Sequence, residues 1–404
     1  MLIRKRELLT GMAALAFLPR GARADAFSDS PPAIPRPQDL AYYNFSPSST
    51  MHWRKALVGV RQGTGRARLL FLGESTTAGV GGGTGGSFNE NAAWDKTFPR
   101  SVGVQLAKAG VPVSDLSFYG DHHLNVTPAA YDPRIVQGTG WGVNAIPGFS
   151  GNMMQFTTGG GIAALAFTPG GAFDNFTVIY LKFNGNGSFT VDVDGGASLG
   201  TVNTNAGTVI ATQNFSVAKA THTIHLNAQN NGNLFVGGII AWDSTVPAVD
   251  LLQAGYSGAN ISTLATNGSG WSTPAVVPTI APDLTFLCCT SNDKVQGTAP
   301  AAYVASLTSL VNICKASGDV ILAPTMPQNT SQDTDGTVFI YENLVKQVAI
   351  ATNCPVIDLQ QIYTSYAVTN PVLPYFDGLH PGPILYNDMG AVIERGIQDP
   401  LFGN

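Results

Sequence analysis

The sequence has little charge. Lys, Arg, Asp and Glu together make up 12% of its 404 residues, about half of the usual ~25%, and the formal net charge is −5. This composition excludes a coiled coil, a disordered acidic chain and a basic nucleic-acid binder. A mildly acidic surface attracts neither phosphate backbones nor anionic lipid, so we expect no nucleic-acid partner and no membrane-surface partner.

Cysteine is also scarce. The four cysteines, Cys288, Cys289, Cys314 and Cys354, all fall in the C-terminal third, in segments that are typical of buried strands or helices. Their spacing matches no zinc pattern, so we expect no metal site from them. Buried cysteines usually serve as small hydrophobic residues. The sequence leaves open whether Cys314 and Cys354 pair in an oxidising compartment.

Long hydrophobic runs are lacking. The apolar stretch Leu8 to Leu18 has eleven residues, whereas a membrane-spanning helix needs ~20. Arg4-Lys5-Arg6 precedes it, and the small-x-small pattern Ala22-Arg23-Ala24 follows it. Together these features predict a signal peptide over residues 1–24, with a membrane anchor as the alternative. Lys5-Arg6-Glu7-Leu8-Leu9 also resembles a twin-arginine export signal with Lys in place of the first Arg. We therefore expect a periplasmic or extracellular protein that does not stay in the membrane.

The N-terminal part of the remaining chain shows α/β patterning. Residues 25–50 are rich in Pro and Ser and predict a lead-in arm. The apolar run Arg68 to Leu72 ends at Gly73 and predicts a buried parallel strand. Pro99 then opens a helical pattern that Gly110 ends.

The middle of the chain has a different pattern. From residue 113 to about 245 we find no convincing helix. Phe189, Val191 and Val193 alternate with polar residues and are followed by the turn Gly195-Gly196. Short alternating strands joined by Gly/Asn turns predict an antiparallel β-sandwich over residues 113–245.

From residue 246 the α/β patterning returns. Strands are predicted at Leu284–Cys289, Val320–Leu322 and Pro355–Leu359, and apolar helical stripes lie between them. Strands that alternate with helices indicate a parallel sheet with helices on both faces. The fold class is therefore α/β, with one α/β domain over 25–112 and 246–404 that the sandwich interrupts.

Candidate catalytic residues follow the predicted strands, where sites in open α/β sheets lie. Ser75 comes after the first strand; a serine nucleophile needs a neighbouring base, and the alternative is a helix cap. Asn292 follows a later strand; its amide can stabilise an oxyanion or form an Asx-turn. Asp377 and His380 stand three residues apart, so Asp377 can orient the imidazole, with a surface turn as the alternative. A backbone N–H in the Gly-rich turn at Gly258 could be a further oxyanion donor.

These four segments, in this order, resemble the four sequence blocks of the SGNH (GDSL-type) hydrolase family. The blocks are Gly73-Glu74-Ser75, Tyr256-Ser257-Gly258, Ser291-Asn292-Asp293 and Asp377-Gly378-Leu379-His380-Pro381. The resemblance covers residues 66–112 and 246–390, and it implies a flavodoxin-like three-layer α/β/α domain.

The resemblance also implies a role for each residue. Ser75 would be the nucleophile, His380 the base and then the acid, and Asp377 the residue that orients His380. The N–H groups of Ser75 and Gly258 and the amide of Asn292 would form the oxyanion hole. No metal and no organic cofactor is needed.

Two residues depart from the family pattern. Glu74 stands where the family usually has Asp, so the hydrogen bonds around the nucleophile turn are expected to differ. Thr290 stands where the third block usually has Gly, and Thr does not easily take a positive φ. We therefore expect an altered turn at Thr290.

The middle segment resembles a jelly-roll carbohydrate-binding module. Trp141 and Trp271 could each stack on a sugar or lie in the core. Asp121-His122-His123 suggests a metal site, but adjacent histidines on an extended chain point apart.

The sequence thus predicts a secreted serine esterase that removes O-acetyl groups from a polysaccharide, a carboxylic ester hydrolase. Acetylated polysaccharide or a small acyl ester would be its substrate. The alternatives are a general short-chain esterase or lipase-like hydrolase, a polysaccharide O-acetyltransferase, and a carbohydrate-binding protein with a relict site.

Overall fold

The computed structural model describes residues 41–83, 92–159, 161, 163–266, 268, 270–329 and 338–398. They belong to one compact unit, Ala41–Asn404. The predicted signal peptide over residues 1–24 and most of the predicted arm lie outside the described residues. Among the helices described, none has the length and apolar character needed to cross a membrane.

A seven-stranded sheet forms the centre of the α/β part. From edge to edge its strands are β1 (Tyr42–Tyr43), β18 (Val356–Ile357), β17 (Asp319–Ala323), β16 (Leu284–Cys288), β2 (Ala67–Gly73), β15 (Val249–Gly255) and β3 (Val113–Ser114). All neighbours pair in parallel except β1, which is antiparallel to β18. The sheet is therefore the predicted parallel one, with one antiparallel edge strand.

Helices flank this sheet. They are α1 (Met51–Arg61), α2 (Ser75–Ala78), α3 (Phe98–Lys108), α4 (Pro128–Tyr131), α5 (Ile261–Ala265), α6 (Thr273–Ile280), α7 (Ser291–Val295), α8 (Pro300–Lys315), α9 (Val338–Thr352), α10 (Leu359–Tyr363), α11 (Tyr366–Thr369) and α12 (Pro383–Gln398), with a 3-10 turn at Trp94–Lys96.

Both faces of the parallel sheet are covered. In β2, Leu70 and Leu72 join one apolar cluster, which includes residues of α5, α6, α8 and α9. Leu69 and Phe71 point the other way, into a second cluster with α1, α3 and α12. A strand buried on both faces needs a continuous apolar run, which explains the composition of β2.

Local signals determine where several elements begin and end. The helix predicted after Pro99 is confirmed as α3. It begins at Phe98, since the Thr97 side chain accepts the Arg100 N–H and so caps the helix. The strand predicted at Pro355–Leu359 is shorter, since the Asp358 side chain accepts the N–H groups of Gln360 and Gln361 and so starts α10. The helix α1 was not predicted. Nor was α4, which Thr127 caps within the segment expected to lack helices.

The remaining strands form two antiparallel sheets. One has the order β11 (Gly200–Asn203), β10 (Ser188–Val193), β13 (Ile224–Ala228), β8 (Ala164–Phe167) and β5 (Ile135–Gln137). The other has the order β12 (Val209–Ala220), β9 (Phe173–Lys182), β14 (Leu234–Trp242), β7 (Gly151–Phe156) and β6 (Trp141–Gly148), and β4 (Ser117–Tyr119) also pairs with β14.

The two antiparallel sheets share a core. Phe176 and Val178 of β9 lie in one apolar cluster with Phe167 of β8 and Leu226 of β13. Side chains that alternate along a strand point to opposite faces, so Ile179 and Leu181 of β9 face away from this cluster. The antiparallel part is therefore a sandwich of two sheets.

The sandwich also packs against the α/β part. Ile179 and Leu181 of β9 belong to the same apolar cluster as Leu70 and Leu72 of β2. Strand β9 of the six-stranded sheet is thus covered by apolar side chains on both faces. Deleting the sandwich would consequently expose apolar surface of the α/β part.

All four cysteines are buried free thiols. Burial raises the pKa of the Cys314 thiol to about 12. They therefore serve as small buried residues in this structure, and Cys314 and Cys354 are not joined.

Candidate active site

Three neighbouring strands end at the same level of the parallel sheet. Gly255 of β15 and Cys288 of β16 both pair with Gly73 of β2. Since the strands are parallel, the segments that follow them meet at one edge. Those segments carry Ser75, Gly258 and Asn292.

Gly73 allows the strands to approach at this edge. A Cβ at Gly73 would collide with the backbone oxygen of Cys288 and with Oγ1 of Thr77. No other residue type therefore fits directly before the Glu74-Ser75 turn without moving β16.

Ser75 and His380 are in direct contact, although 305 residues separate them. Ser75 is the first residue of α2, and its Oγ lies 2.8 Å from Nε2 of His380. Nδ1 of His380 lies 2.9 Å from Oδ2 of Asp377. This order of contacts allows an imidazole to remove the proton from a serine hydroxyl.

Asp377 is held as an ionised acceptor. Burial alone would raise the pKa of its carboxyl, but hydrogen bonds from the His380 ring and from the backbone of His380 and Leu379 hold that pKa below its usual range. Oδ1 accepts the N–H of Leu379 at 2.7 Å and that of His380 at 2.6 Å. A carboxylate cannot donate to Nδ1, so the imidazole proton sits on Nδ1 and leaves Nε2 free to accept.

The loop after β15 contacts both ends of α7. Nδ2 of Asn292 donates to the Ala259 oxygen at 2.8 Å, and Nε2 of Gln296 donates to the Gly258 oxygen at 2.9 Å. Gly258 has a φ of 82°, in the region that favours glycine. An amide NH2 has two donors, so the bond to Ala259 engages one of the two that Asn292 carries.

Glu74 joins the nucleophile turn to the third block. Its Oε1 accepts the N–H groups of Thr290 at 3.3 Å and Ser291 at 3.0 Å, and Oε2 accepts that of Asn292 at 2.9 Å. The side chain is fully buried. Burial raises its pKa to about 7, although the three N–H groups oppose this. The carboxyl before Ser75 therefore also holds the backbone of Asn292.

Thr290 needs no left-handed backbone here. Its φ is −175°, which is an extended value that any residue adopts. Its hydroxyl contacts that of Thr325 on the neighbouring strand end. The expected conflict between Thr and a positive φ therefore does not arise.

Trp141 and Trp271 are both core residues, which corrects the expectation that they could stack on a sugar. Trp141 is 8% exposed and donates its indole N–H to the Ala163 oxygen. Trp271 is fully buried and donates its indole N–H to the Gly151 oxygen. Neither indole presents an open face to a ligand.

The comparisons with known proteins agree with this geometry. Residues 218–386 match the model of the GDSL-like Lipase/Acylhydrolase family. This part of the chain, less than half of its length, is therefore similar to the family. The family match supports a carboxylic ester hydrolase. The match includes the second, third and fourth blocks, whereas Ser75 precedes it. No curated protein matches the chain.

A solved structure of a peptidoglycan O-acetylesterase resembles this chain at 16% identity. The match covers 88% of this chain and 97% of that chain, with a TM-score of 0.64, and it shows a shared fold. Two family 2 carbohydrate esterases also match. One is from Corynascus thermopiles (Myceliophthora fergusii), at 14% identity, covering 66% and 98% of the two chains, TM-score 0.29. The other is from Clostridium thermocellum, at 12% identity, covering 67% and 100%, TM-score 0.28. Those two TM-scores are too low to bear on the fold of this chain.

Sequence patterns missed several residues around this site. His122 and His123 contact the loop after β15, and Gln296 binds the Gly258 oxygen. Glu74 was noted as a departure from the family, but its bonds to residues 290–292 were not foreseen. No signal in the sequence points to these contacts, because each joins segments more than thirty residues apart.

Glu74→Gln is expected to flatten the pH dependence of the protein's stability. The pKa of Glu74 rises from 4.5 to about 7 on folding, so the folded protein holds this proton more tightly than the unfolded chain. The Glu74 contribution to the free energy of unfolding is therefore fully present below about pH 4.5 and is lost as the pH rises through about 7. A shift of this size corresponds to roughly 3 kcal/mol, and Gln has no proton to lose.

Denaturant unfolding at pH 4.5 and pH 8 measures this effect. Between those two values, wild type should lose roughly 3 kcal/mol more than Glu74→Gln. Asp95→Asn, at an exposed carboxyl, serves as the control and should behave as wild type. Equal losses in wild type and Glu74→Gln would contradict the titration of Glu74 near neutral pH.

Proposed function

We propose that this protein is a secreted serine esterase that removes O-acetyl groups from a polysaccharide through an acyl-enzyme on Ser75. The observation that carries the proposal is the series of contacts from Asp377 through His380 to Ser75, in a chain that matches an acylhydrolase family model over residues 218–386. A serine hydroxyl that is hydrogen-bonded to an imidazole, which is in turn hydrogen-bonded to a carboxylate, is activated to attack esters. Secretion is proposed from the signal-peptide pattern of residues 1–24 alone.

The proposed reaction begins with attack of Ser75 Oγ on the carbonyl carbon of the acetyl group. His380 Nε2 takes the hydroxyl proton and then gives it to the departing sugar oxygen. The tetrahedral oxyanion lies among the N–H groups of Ser75 and Gly258 and the side-chain amide of Asn292. Water, activated by His380, then attacks the acyl-enzyme and releases acetate, which regenerates Ser75. This sequence of steps uses no metal and no organic cofactor.

The substrate part of the proposal has two supports. The protein shares its fold with a solved structure whose name, peptidoglycan O-acetylesterase, gives acetylated peptidoglycan as the substrate of that enzyme. The sandwich also contacts the loop that carries Gly258. We infer that the insertion over residues 113–245 is a jelly-roll module of the carbohydrate-binding type. It lies beside the site of the hydrolase domain, which consists of residues 25–112 and 246–404.

Hydrolysis of p-nitrophenyl esters with two, four, eight and twelve acyl carbons tests the proposal. We expect the highest kcat/KM with acetate and release of acetate from an acetylated polysaccharide. Preference for the eight- or twelve-carbon esters would contradict the acetylesterase and favour the lipase-like hydrolase. Acetyl transfer to sugar hydroxyls without net hydrolysis would indicate the transferase instead.

A further inference from the structure

A turn of the sandwich holds the loop that precedes Gly258. The turn consists of Asp121, His122 and His123, directly after β4. The His122 oxygen accepts the Ser257 N–H at 2.9 Å. Nδ1 of His123 lies 3.1 Å from the Ser257 oxygen, and Nδ1 of His122 lies 2.9 Å from the Gly255 oxygen. Carbonyl oxygens only accept, so both ring nitrogens donate.

The turn is itself strained and tightly held. His122 and His123 have φ values of 57° and 53°, and a left-handed non-glycine residue costs ~1–2 kcal/mol. Oδ1 of Asp121 accepts the His123 N–H at 2.7 Å and the Asn152 N–H at 2.6 Å. Such backbone persists only where its surroundings determine it, and it clusters at functional sites.

His123 bonds to the peptide group that carries the Gly258 N–H. In a trans peptide the oxygen of residue i and the N–H of residue i+1 belong to one plane and point in opposite directions. A donor on the Ser257 oxygen therefore fixes the direction of the Gly258 N–H. The Gly258 backbone has no Cβ to restrict rotation of this plane, and nothing lies within 4 Å of where a Cβ would stand.

The neighbouring groups keep the imidazoles in place. The His123 ring packs edge-on against Tyr256 at 5.2 Å between centroids, and the buried His122 ring packs against Tyr131 at 4.8 Å. Burial lowers the pKa of His122, so its imidazole is neutral with the proton on Nδ1. Ser257 is thus held through both its N–H and its oxygen by residues of the sandwich.

We propose that His123 is a positioning residue that orients the Ser257–Gly258 peptide as an oxyanion donor, so that the sandwich takes part in catalysis as well as in any sugar binding. The inference rests on the proposed function, in which Gly258 stabilises the oxyanion. Its consequence is that His123 acts on kcat for a small ester that is too short to reach a sugar-binding surface.

Three variants of His123 test this role with p-nitrophenyl acetate. His123→Phe keeps an aromatic ring beside Tyr256 but removes the donor, and His123→Ala removes both. His123→Asn retains an N–H donor on a residue that tolerates left-handed backbone. We expect kcat to fall ~10-fold or more in His123→Phe and His123→Ala, with KM within about twofold of the wild-type value, because loss of one oxyanion donor typically lowers kcat by ~10²–10³. His123→Asn should recover most of this loss of kcat.

The control is His52→Ala, at a half-exposed histidine of α1 that pairs with Asp283, and it should match wild type. Thermal unfolding of each variant separates a loss of fold from a misplaced Ser257–Gly258 peptide in a folded protein. The positioning role would be overturned by a wild-type kcat in His123→Phe, or by a loss of kcat in His123→Asn as large as that in His123→Ala. Absence of ester turnover by wild type itself would contradict the proposed function instead.

Discussion

Ser75→Ala should lower kcat for p-nitrophenyl acetate by ~10³-fold or more and leave the fold intact. The Ser75 hydroxyl is buried and its Oγ contacts His380, so this substitution removes the proposed nucleophile and creates almost no cavity. Steady-state hydrolysis and thermal unfolding, measured on the same preparation, check both parts of this expectation.

His380→Ala should give a loss of the same order. Residues that act as a unit are not additive, so the double variant Ser75→Ala with His380→Ala should be no slower than either single variant. Ser216→Ala, at an exposed serine of β12, is the matched control. Turnover like that of wild type in Ser75→Ala would refute the assignment of the nucleophile, and strictly additive losses would refute their joint action.

Asn292→Ala is expected to lower kcat by ~10²–10³, the usual cost of one oxyanion donor. Asn292→Asp should be at least as slow, because it replaces the donor with a negative charge beside the developing oxyanion. Comparison of kcat with KM is the decisive measurement, since a donor that acts in the transition state changes kcat more than KM.

The control for this position is Asn312→Ala, on the exposed side of α8. Because the Asn292 side chain also binds the Ala259 oxygen, thermal unfolding must accompany the kinetics. A folded Asn292→Ala variant with unchanged kcat would remove Asn292 from the oxyanion hole and leave it as a link between two loops.

Sequence patterns predicted the elements of the α/β part well where the interactions that determine them join residues close together in the sequence. The apolar run that became β2 needs burial on both faces, and a run of that kind has few alternatives to a parallel strand. Pro99 near the start and Gly110 after the end predicted α3 for the same reason, since each signal acts within one helical turn. The pattern predicted β18 too long, because it does not weigh the Asp358 cap against strand pairing.

The sequence by itself determined the class of chemistry: a serine, a histidine and an aspartate in the order of a hydrolase family, each after a predicted strand or in the last loop. It also separated the α/β segments from the antiparallel segment, since side-chain periodicity differs between the two.

Only the tertiary structure decided which contacts complete the site. The register of β2 with β15 and β16 brings Glu74 to the backbone of Asn292, and packing of the sandwich brings His123 to Ser257. The same packing buries Trp141 and Trp271. These contacts join segments that are distant along the chain, so they depend on how sheets pack, which residue periodicity does not encode.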